Sequence, residues 1–310
     1  MASRREIRLK KEIPDDLVQP FQVEGLNVRG RLVRLGPAVD TIVRQHAYPG
    51  PIGGLLAESL ALAATLARAL KYDGVFSLQT KGDGPLHLLV ADVTSGGDLR
   101  GYAQFDEGRL AALGPRREDH RFRRLMGKGY LAFTVDQGQR TDRYQGIVDL
   151  NGADLVECAQ HYFRQSEQLK TGFRLAAGQS KPLKIYIDEL GWRAGGLMVQ
   201  RMPGPEDDDD WRRALALIES CTAVELLDPM LDPLDLLYRL FHEDGVRVFR
   251  PQPLRARCRC SRERAESVLR LLPDVDLDEM VVDGKVIVTC QFCNSSHVFE
   301  EGEVRRLRAS

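Results

Sequence analysis

Six cysteines occur in 310 residues, and four of them stand in two close pairs toward the C-terminal end. Cys258 and Cys260 form a Cys-x-Cys pair within RARCRCSRERAE, and Cys290 and Cys293 form a Cys-x-x-Cys pair within VIVTCQFCNSSH. Residues 261–289, 29 positions, separate the pairs. Zinc takes four tetrahedral ligands and thiolates are among its preferred donors. Two chelating pairs on either side of a small folded insert supply that number. Free cysteine is also often a buried apolar residue, and a disulfide framework would need a secreted protein; chelating spacing in both pairs favours the metal. The Cys-x-Cys half is tighter than the commonest zinc pattern, which uses two Cys-x-x-Cys elements or one with a His pair. His297, four residues after Cys293, is a candidate substitute ligand, although a surface His beside a complete site is the commoner arrangement. Four thiolates leave no open position, so the chemistry is that of a structural site and not of a metalloenzyme.

Such a site would decide whether the tail folds. A module as small as residues 251–310 rarely gains more than about 3–5 kcal/mol from its own core, whereas structural zinc contributes roughly 10–16 kcal/mol in small sites. Removing the metal is expected to unfold the tail. Oxidation does the same, because a disulfide sulfur is no longer an anionic ligand. A link within either pair would close a very short loop and restore little constraint. Arg255, Arg257, Arg259, Arg262 and Arg264 cluster around the first pair. A four-thiolate zinc carries a formal charge of −2, and guanidinium groups would offset it and lower thiol pKa values. The same cluster also fits a phosphate contact, so a zinc-ribbon nucleic-acid binder is the rival reading. Against it stand the tail's balance of ten Lys/Arg and ten Asp/Glu and the lack of stacking aromatics near the arginines.

The elements that must position the cysteines belong to a chain long enough for two domains. Hydrophobic residues make up 43% and charged residues 29%, with a net charge of −1, so no global field draws the protein to nucleic acid or anionic membrane. No run of eighteen apolar residues is present, and nothing is expected to span a bilayer. The opening MASRREIRLKKEIPDD lacks the apolar core of a secretory signal, and the sparse cysteines suit a reducing, cytoplasmic compartment.

Along the chain, residues 24–35 alternate as a strand, and PGPIGG at 49–54 reads as a loop of helix breakers. A buried helix follows, with Leu55, Leu56, Leu60, Ala63, Ala67 and Leu70 at helical spacing and Gly74 as its stop. Residues 75–82, 86–94 and 99–105 read as strands in antiparallel hairpins, as do 129–136 and 143–150. Residues 152–169 read as a helix with Cys158 in the core. The glycine loops Gly82-Asp83-Gly84 and Gly127-Lys128-Gly129 match no phosphate-binding pattern and read as turns. No nucleophile elbow or paired-His zinc helix is present. After strand-like alternation from 183 to Pro203, an acidic run opens a helix at PEDDDDWRRALALIESC, where acids suit the helix dipole. Leu234, Leu237, Tyr238 and Phe241 give a further apolar helical face. Residues 196–244 hold twelve Asp/Glu and four Lys/Arg. A segment both acidic and apolar is poised between docking and detaching, although a solvated helix pair joining two domains has the same composition.

The sequence resembles the redox-regulated heat-shock chaperone family, the thirty-three-kilodalton heat-shock proteins. The match rests on Cys258-Arg259-Cys260-Ser261 and Cys290-Gln291-Phe292-Cys293-Asn294. It extends to LKYDGVFSLQTKGDGPLHLLVAD (70–92), GKGYLAFTVD (127–136), YQGIVDL (144–150), QSEQLKT (165–171), AGGLMVQRMP (194–203) and LLYRLFHED (236–244). Ser296-His297 departs from the family, which usually has an aromatic after the last pair. The resemblance implies a cytoplasmic holdase that is not an enzyme and uses no ATP. When reduced it would be inactive, with Zn2+ on Cys258, Cys260, Cys290 and Cys293. Oxidation would form Cys258–Cys260 and Cys290–Cys293 disulfides, release zinc, unfold tail and linker, and let a dimer bind unfolded clients. No nucleic-acid or membrane partner is implied. The expected fold is α+β: an N-terminal body of antiparallel sheet and helices (1–195), a helical linker (196–250) and a zinc-binding tail (251–310).

Overall fold

The computed structural model describes residues 13–68, 72–114, 121–137, 144–167, 169–180, 191–204, 208–273 and 279–309. Helix α2 (Gly50–Ala67), preceded by α1 (Pro37–Arg44), is the element around which the body is built. It is rich in alanine and leucine, the strongest helix formers, and Glu58 is its one charged residue. By length and composition it could cross a membrane, but 83% of it is buried inside the fold.

One sheet lies on each side of α2. The first is built from β1 (Leu17–Val23), β2 (Val28–Leu35), β8 (Thr171–Ser180), β9 (Gly191–Arg201), β10 (Val246–Val248) and β11 (Gln252–Pro253), in the order β10-β1-β2-β9-β8 with β11 also on β1. The second is built from β3 (Val75–Gly82), β4 (Leu86–Thr94), β5 (Asp98–Phe105), β6 (Gly129–Asp136), β7 (Tyr144–Asp149) and β12 (Arg255–Ala256), in the order β12-β5-β4-β3-β6-β7. Short helices α3 (Glu107–Ala112), α4 (Arg121–Met126) and α5 (Leu155–Tyr162) complete this half. Leu56, Leu60, Val33, Leu78, Leu89 and Phe133 join in one core between the sheets. Cys158 is buried in it, as expected.

The antiparallel hairpins stand where alternation put them. Four local readings need correction. PGPIGG is not a loop: α2 begins at Gly50, since proline in a first turn forfeits no hydrogen bond, and the amides of Ile52 and Gly53 both reach the Pro49 carbonyl at 2.9 Å. Gly53 is there for packing, because a Cβ would stand 2.8 Å from the Trp192 ring. The helix ends at Ala67, short of Gly74, and Leu70 lies outside the described residues. The 152–169 helix is α5 followed by a π turn at Phe163–Glu167. Residues 24–27 are a turn, and the strand starts at Val28. The 183–190 part of the alternation lies outside the described residues.

Helices α6 (Asp208–Glu219), α7 (Ala223–Leu227) and α8 (Pro233–Phe241) cover the other face of the first sheet. Ile218, Leu226, Leu237, Leu240 and Phe241 pack there on Phe21, Leu32 and Leu197. The α8 stripe is Leu236, Leu237, Leu240 and Phe241; Leu234 and Tyr238, expected on it, are 44% and 65% exposed. Three sheet arginines hold this layer by its carbonyls. Arg34, 1% exposed, donates to Leu231 (2.9 Å) and Asp228, Arg193 to Leu227 (2.7 Å) and Arg174 to Cys221 (3.0 Å).

From α8 the chain runs along both sheets. β10 and β11 pair with β1, and β12 then adds to β5 in parallel. The tail follows: α9 (Arg262–Leu271), a sheet of β13 (Val281–Val282), β14 (Lys285–Thr289) and β15 (Ser296–Glu300), and α10 (Glu301–Ala309). Its core is Ala265, Leu269, Val286, Phe299 and Val304.

Candidate metal centre

Cys258 and Cys260 lie on the extended segment between β12 and α9. Ser261 follows at once as the cap of α9, its hydroxyl accepting from the Arg264 amide at 3.3 Å. That cap fixes the direction in which the segment leaves the first pair. Cys290 and Cys293 sit on the tight turn between β14 and β15. The Cys290 amide reaches the Ser295 carbonyl at 2.9 Å and the Asn294 amide the Cys290 carbonyl at 2.8 Å. Asn294 takes the left-handed conformation (φ 56°) that this turn needs and that Asn tolerates.

These two elements bring the four sulfurs within 4.8 Å of one another, an arrangement that could hold a metal ion. All four are free, half-buried cysteines. Two sulfur–sulfur approaches run across the pairs: 3.7 Å from Cys258 to Cys290 and 3.3 Å from Cys260 to Cys293. A zinc–sulfur bond of about 2.3 Å implies a tetrahedral edge of about 3.8 Å, so the donor set and its spacing fit that ion. His297 is not in the cluster. It pairs with Val288 across β14 and β15, with Nε2 buried and unpartnered among the described residues.

Thiol acidity here is set by burial and hydrogen bonding. Burial raises Cys260, and its sulfur neighbours raise it further; burial also raises Cys290. At Cys293 burial acts upward but is outweighed by the Ser295 hydroxyl and amide and by the adjoining thiols, which bring it down to about 7. Arginine is not among the largest causes of these shifts, although the cluster suggested it. The arginines bind carboxylates and carbonyls instead. Arg255 pairs with Asp98, Arg262 with Glu303 at 2.6 Å, and Arg264 reaches the Arg259 carbonyl at 2.6 Å.

Arg259, between the two cysteines of the first pair, bonds Asp92 of the second sheet at 3.0 Å. Asp92 is nearly buried and also accepts from Ser77 (2.6 Å) and twice from Arg100 (2.8 and 2.7 Å). The second pair touches the same face. The Phe292 ring lies 3.7 Å from the Arg100 guanidinium and meets Tyr102 edge-on at 4.7 Å. A cation over a ring contributes about 0.5–1 kcal/mol at an exposed site and about 2 when desolvated. The Phe292 carbonyl is 3.2 Å from His46 Nε2, and the Asn294 side chain donates to the Gln45 carbonyl at 3.5 Å. Sequence reasoning missed Phe292, Asp92 and Arg100 as part of this site. An aromatic placed between two ligand cysteines, where no tail core needs it, was the available signal.

The glycine loops turned out as turns packed on each other. The Asp83 amide meets the Lys128 carbonyl at 2.9 Å, and the Lys128 amide meets Asp83 Oδ1 at 2.7 Å.

A family model described as "Hsp33 protein" matches residues 16–300. The 33 kDa chaperonin of Caulobacter vibrioides (strain NA1000 / CB15N) is 42% identical over 285 residues, covering 90% of this chain and 93% of that protein. The 33 kDa chaperonin of Ectopseudomonas mendocina (strain ymp) is 40% identical over 303 residues, covering 95% and 96%. Among solved structures, the 33 kDa chaperonin from Thermotoga maritima superposes with a TM-score of 0.79, covering 96% of this chain and 98% of that one; at 24% identity this is a likeness of fold.

Proposed function

The chain belongs to the Hsp33 family of chaperones, and from that premise we propose that it is a cytoplasmic, ATP-independent holdase switched on by oxidation of a zinc centre. The observation that carries this reading is the convergence of four free sulfurs on a tail whose own core is small among the described residues. Cys258, Cys260, Cys290 and Cys293 would hold the ion. When bound, zinc supplies a tetrahedral cross-link between the segment before α9 and the β14–β15 turn and neutralises thiolate charge.

Oxidation forms the Cys258–Cys260 and Cys290–Cys293 disulfides. Each pair gives two electrons to one peroxide, which takes up two protons and leaves as two waters. Oxidation of Cys258, Cys260, Cys290 and Cys293 would leave no thiolates to hold the ion. Disulfides within the pairs leave the two segments free of each other, whereas a link across them would pin the tail shut. Once the tail loosens, β12 has lost its anchor, and β10 and β11 lead straight back to α8. The linker layer is suited to letting go: Arg34, Arg174 and Arg193 trade carbonyl partners for water, and burial already disfavours the charge on Arg34. Val224, Met230, Leu234 and Tyr238 are exposed even when it is docked. Its release adds the face bearing Phe21, Leu32 and Leu197 for unfolded, aggregation-prone clients. The active form is proposed to be a homodimer, with no nucleic-acid or membrane partner.

The test is to treat zinc-loaded protein with peroxide under mildly unfolding conditions and follow zinc release beside aggregation of an unfolded client. Suppression that appears only after oxidation is expected. Aggregation unchanged after complete zinc release would overturn the reading.

A further inference from the structure

Phe292 has no part in the tail's core, which Leu269, Val286 and Phe299 help to fill. It is presented outward, into a place already prepared on the second sheet. There Arg100 is held rigid by two bonds to the nearly buried Asp92, with its guanidinium under the ring, and Tyr102 closes one edge. Contacts flank the ring on both sides: His46 at the Phe292 carbonyl, and Gln104 donating to the Gln291 side chain at 3.4 Å. An aromatic side chain with a neighbouring peptide carbonyl is what this surface recognises. Beside it an open cleft of about 700 Å³ runs between the body and the docked tail, with His46, Tyr48, Tyr102 and Phe105 on the body's wall and Cys290 and Asn294 on the tail's; departure of the tail would bare the body's wall for more of an extended chain.

We propose that the Arg100–Tyr102 face is an aromatic-docking surface, filled by the chain's own Phe292 while the tail is folded and by aromatic side chains of unfolded clients once the tail has let go. This rests on the holdase reading above and gives it a defined surface, on the sheet opposite the one the linker covers. Asp92 serves as the positioning residue of the pair of states. With the tail docked it binds Arg259 as well as Arg100; with the tail gone it still orients Arg100.

The probe is a fluorescently labelled, disordered twelve-residue peptide with one Phe, against the same peptide with Ala in its place. On the oxidised full-length chain the Phe peptide is expected to bind about threefold to tenfold more tightly, the worth of one cation–π and one ring contact. Tyr102→Ala and Arg100→Gln, two separate changes to this face, should each remove most of that preference. On the reduced, zinc-loaded chain the peptide is expected to be excluded, and Phe292→Ala, with its zinc retained, should admit it. Equal binding of the two peptides, indifference to both substitutions, or continued exclusion by zinc-loaded Phe292→Ala would each overturn the proposal. Failure of the oxidised wild type to suppress aggregation would instead overturn the holdase reading, a separate result from the same samples.

Discussion

Around α2 two six-stranded sheets close over Leu56, Leu60, Leu78, Leu89, Phe133 and many more, a core continuous through the body. In the tail, among the described residues, a three-stranded sheet with α9 and α10 closes over Ala265, Leu269, Val286, Phe299 and Val304. The first region has enough apolar surface to fold by burial alone. The second is in the range where a core rarely supplies more than about 3–5 kcal/mol, and four sulfurs stand where a cross-link is needed. On the proposed function, one chain thus carries a part whose fold is indifferent to redox state and a part whose fold depends on it. The strand β10–β12 joins them, lying along both sheets of the first and ending two residues before Cys258.

The sharpest break in that comparison is metal removal. A strong chelator on reduced protein is expected to forfeit roughly 10–16 kcal/mol of binding. Hydrogen exchange should then show β14, β15 and α9 losing protection while α2, β3 and β4 keep theirs. Cys290→Ser should do the same without chelator.

Core truncations come next. Leu60→Ala should cost the body about 3–5 kcal/mol in urea titration and leave zinc stoichiometry unchanged. Phe299→Ala, similar in size, equals all the tail can supply, so it should weaken zinc binding as well, read by competition with a metal indicator.

Asp92→Asn acts where the two regions touch. Losing the carboxylate shared by Arg100 and Arg259 should cost about 1.5–3 kcal/mol. The cost should appear as faster exchange at β12 and faster zinc loss to chelator, with the urea midpoint of the body moving less.

The smallest effect separates the regions by pH. Burial raises Asp16 to about 6, outweighing the amides of Gly36 and Ala38 that it accepts at the start of α1. Because the folded state then holds this proton more tightly than the unfolded state, its contribution is greatest below about pH 4 and falls as pH rises to about 6, by about 1–3 kcal/mol. Asp16→Asn should remove that slope from the body's stability. The tail should run the other way, since acid protonates thiolate ligands and loosens the metal.

Much of this contrast is legible in the sequence. The hairpins at β3–β7 follow from alternation between glycine turns, and the four cysteines declare themselves by spacing. What sequence hides is what only the assembled sheets bring together. The first-turn prolines and Gly53 look like breakers until Trp192, far along the chain, needs the space that a Cβ would fill. Tyr238 looks like part of the α8 stripe because helical spacing alone cannot say which edge meets the sheet. Arg255, Arg257 and Arg259 look like counter-charges for thiolates because their partners Asp98 and Asp92 lie more than 150 residues away. Phe292 looks like a spacer between ligands for the same reason.

The most direct test is one time course on full-length protein under peroxide and mild heat, with released zinc, free thiols and suppression of client aggregation read from the same samples. The expected result is one zinc per chain at the start, four thiols lost as that zinc appears, and suppression rising in step with both. Reduced protein that carries no metal, or suppression equally strong before any thiol is lost, would contradict it.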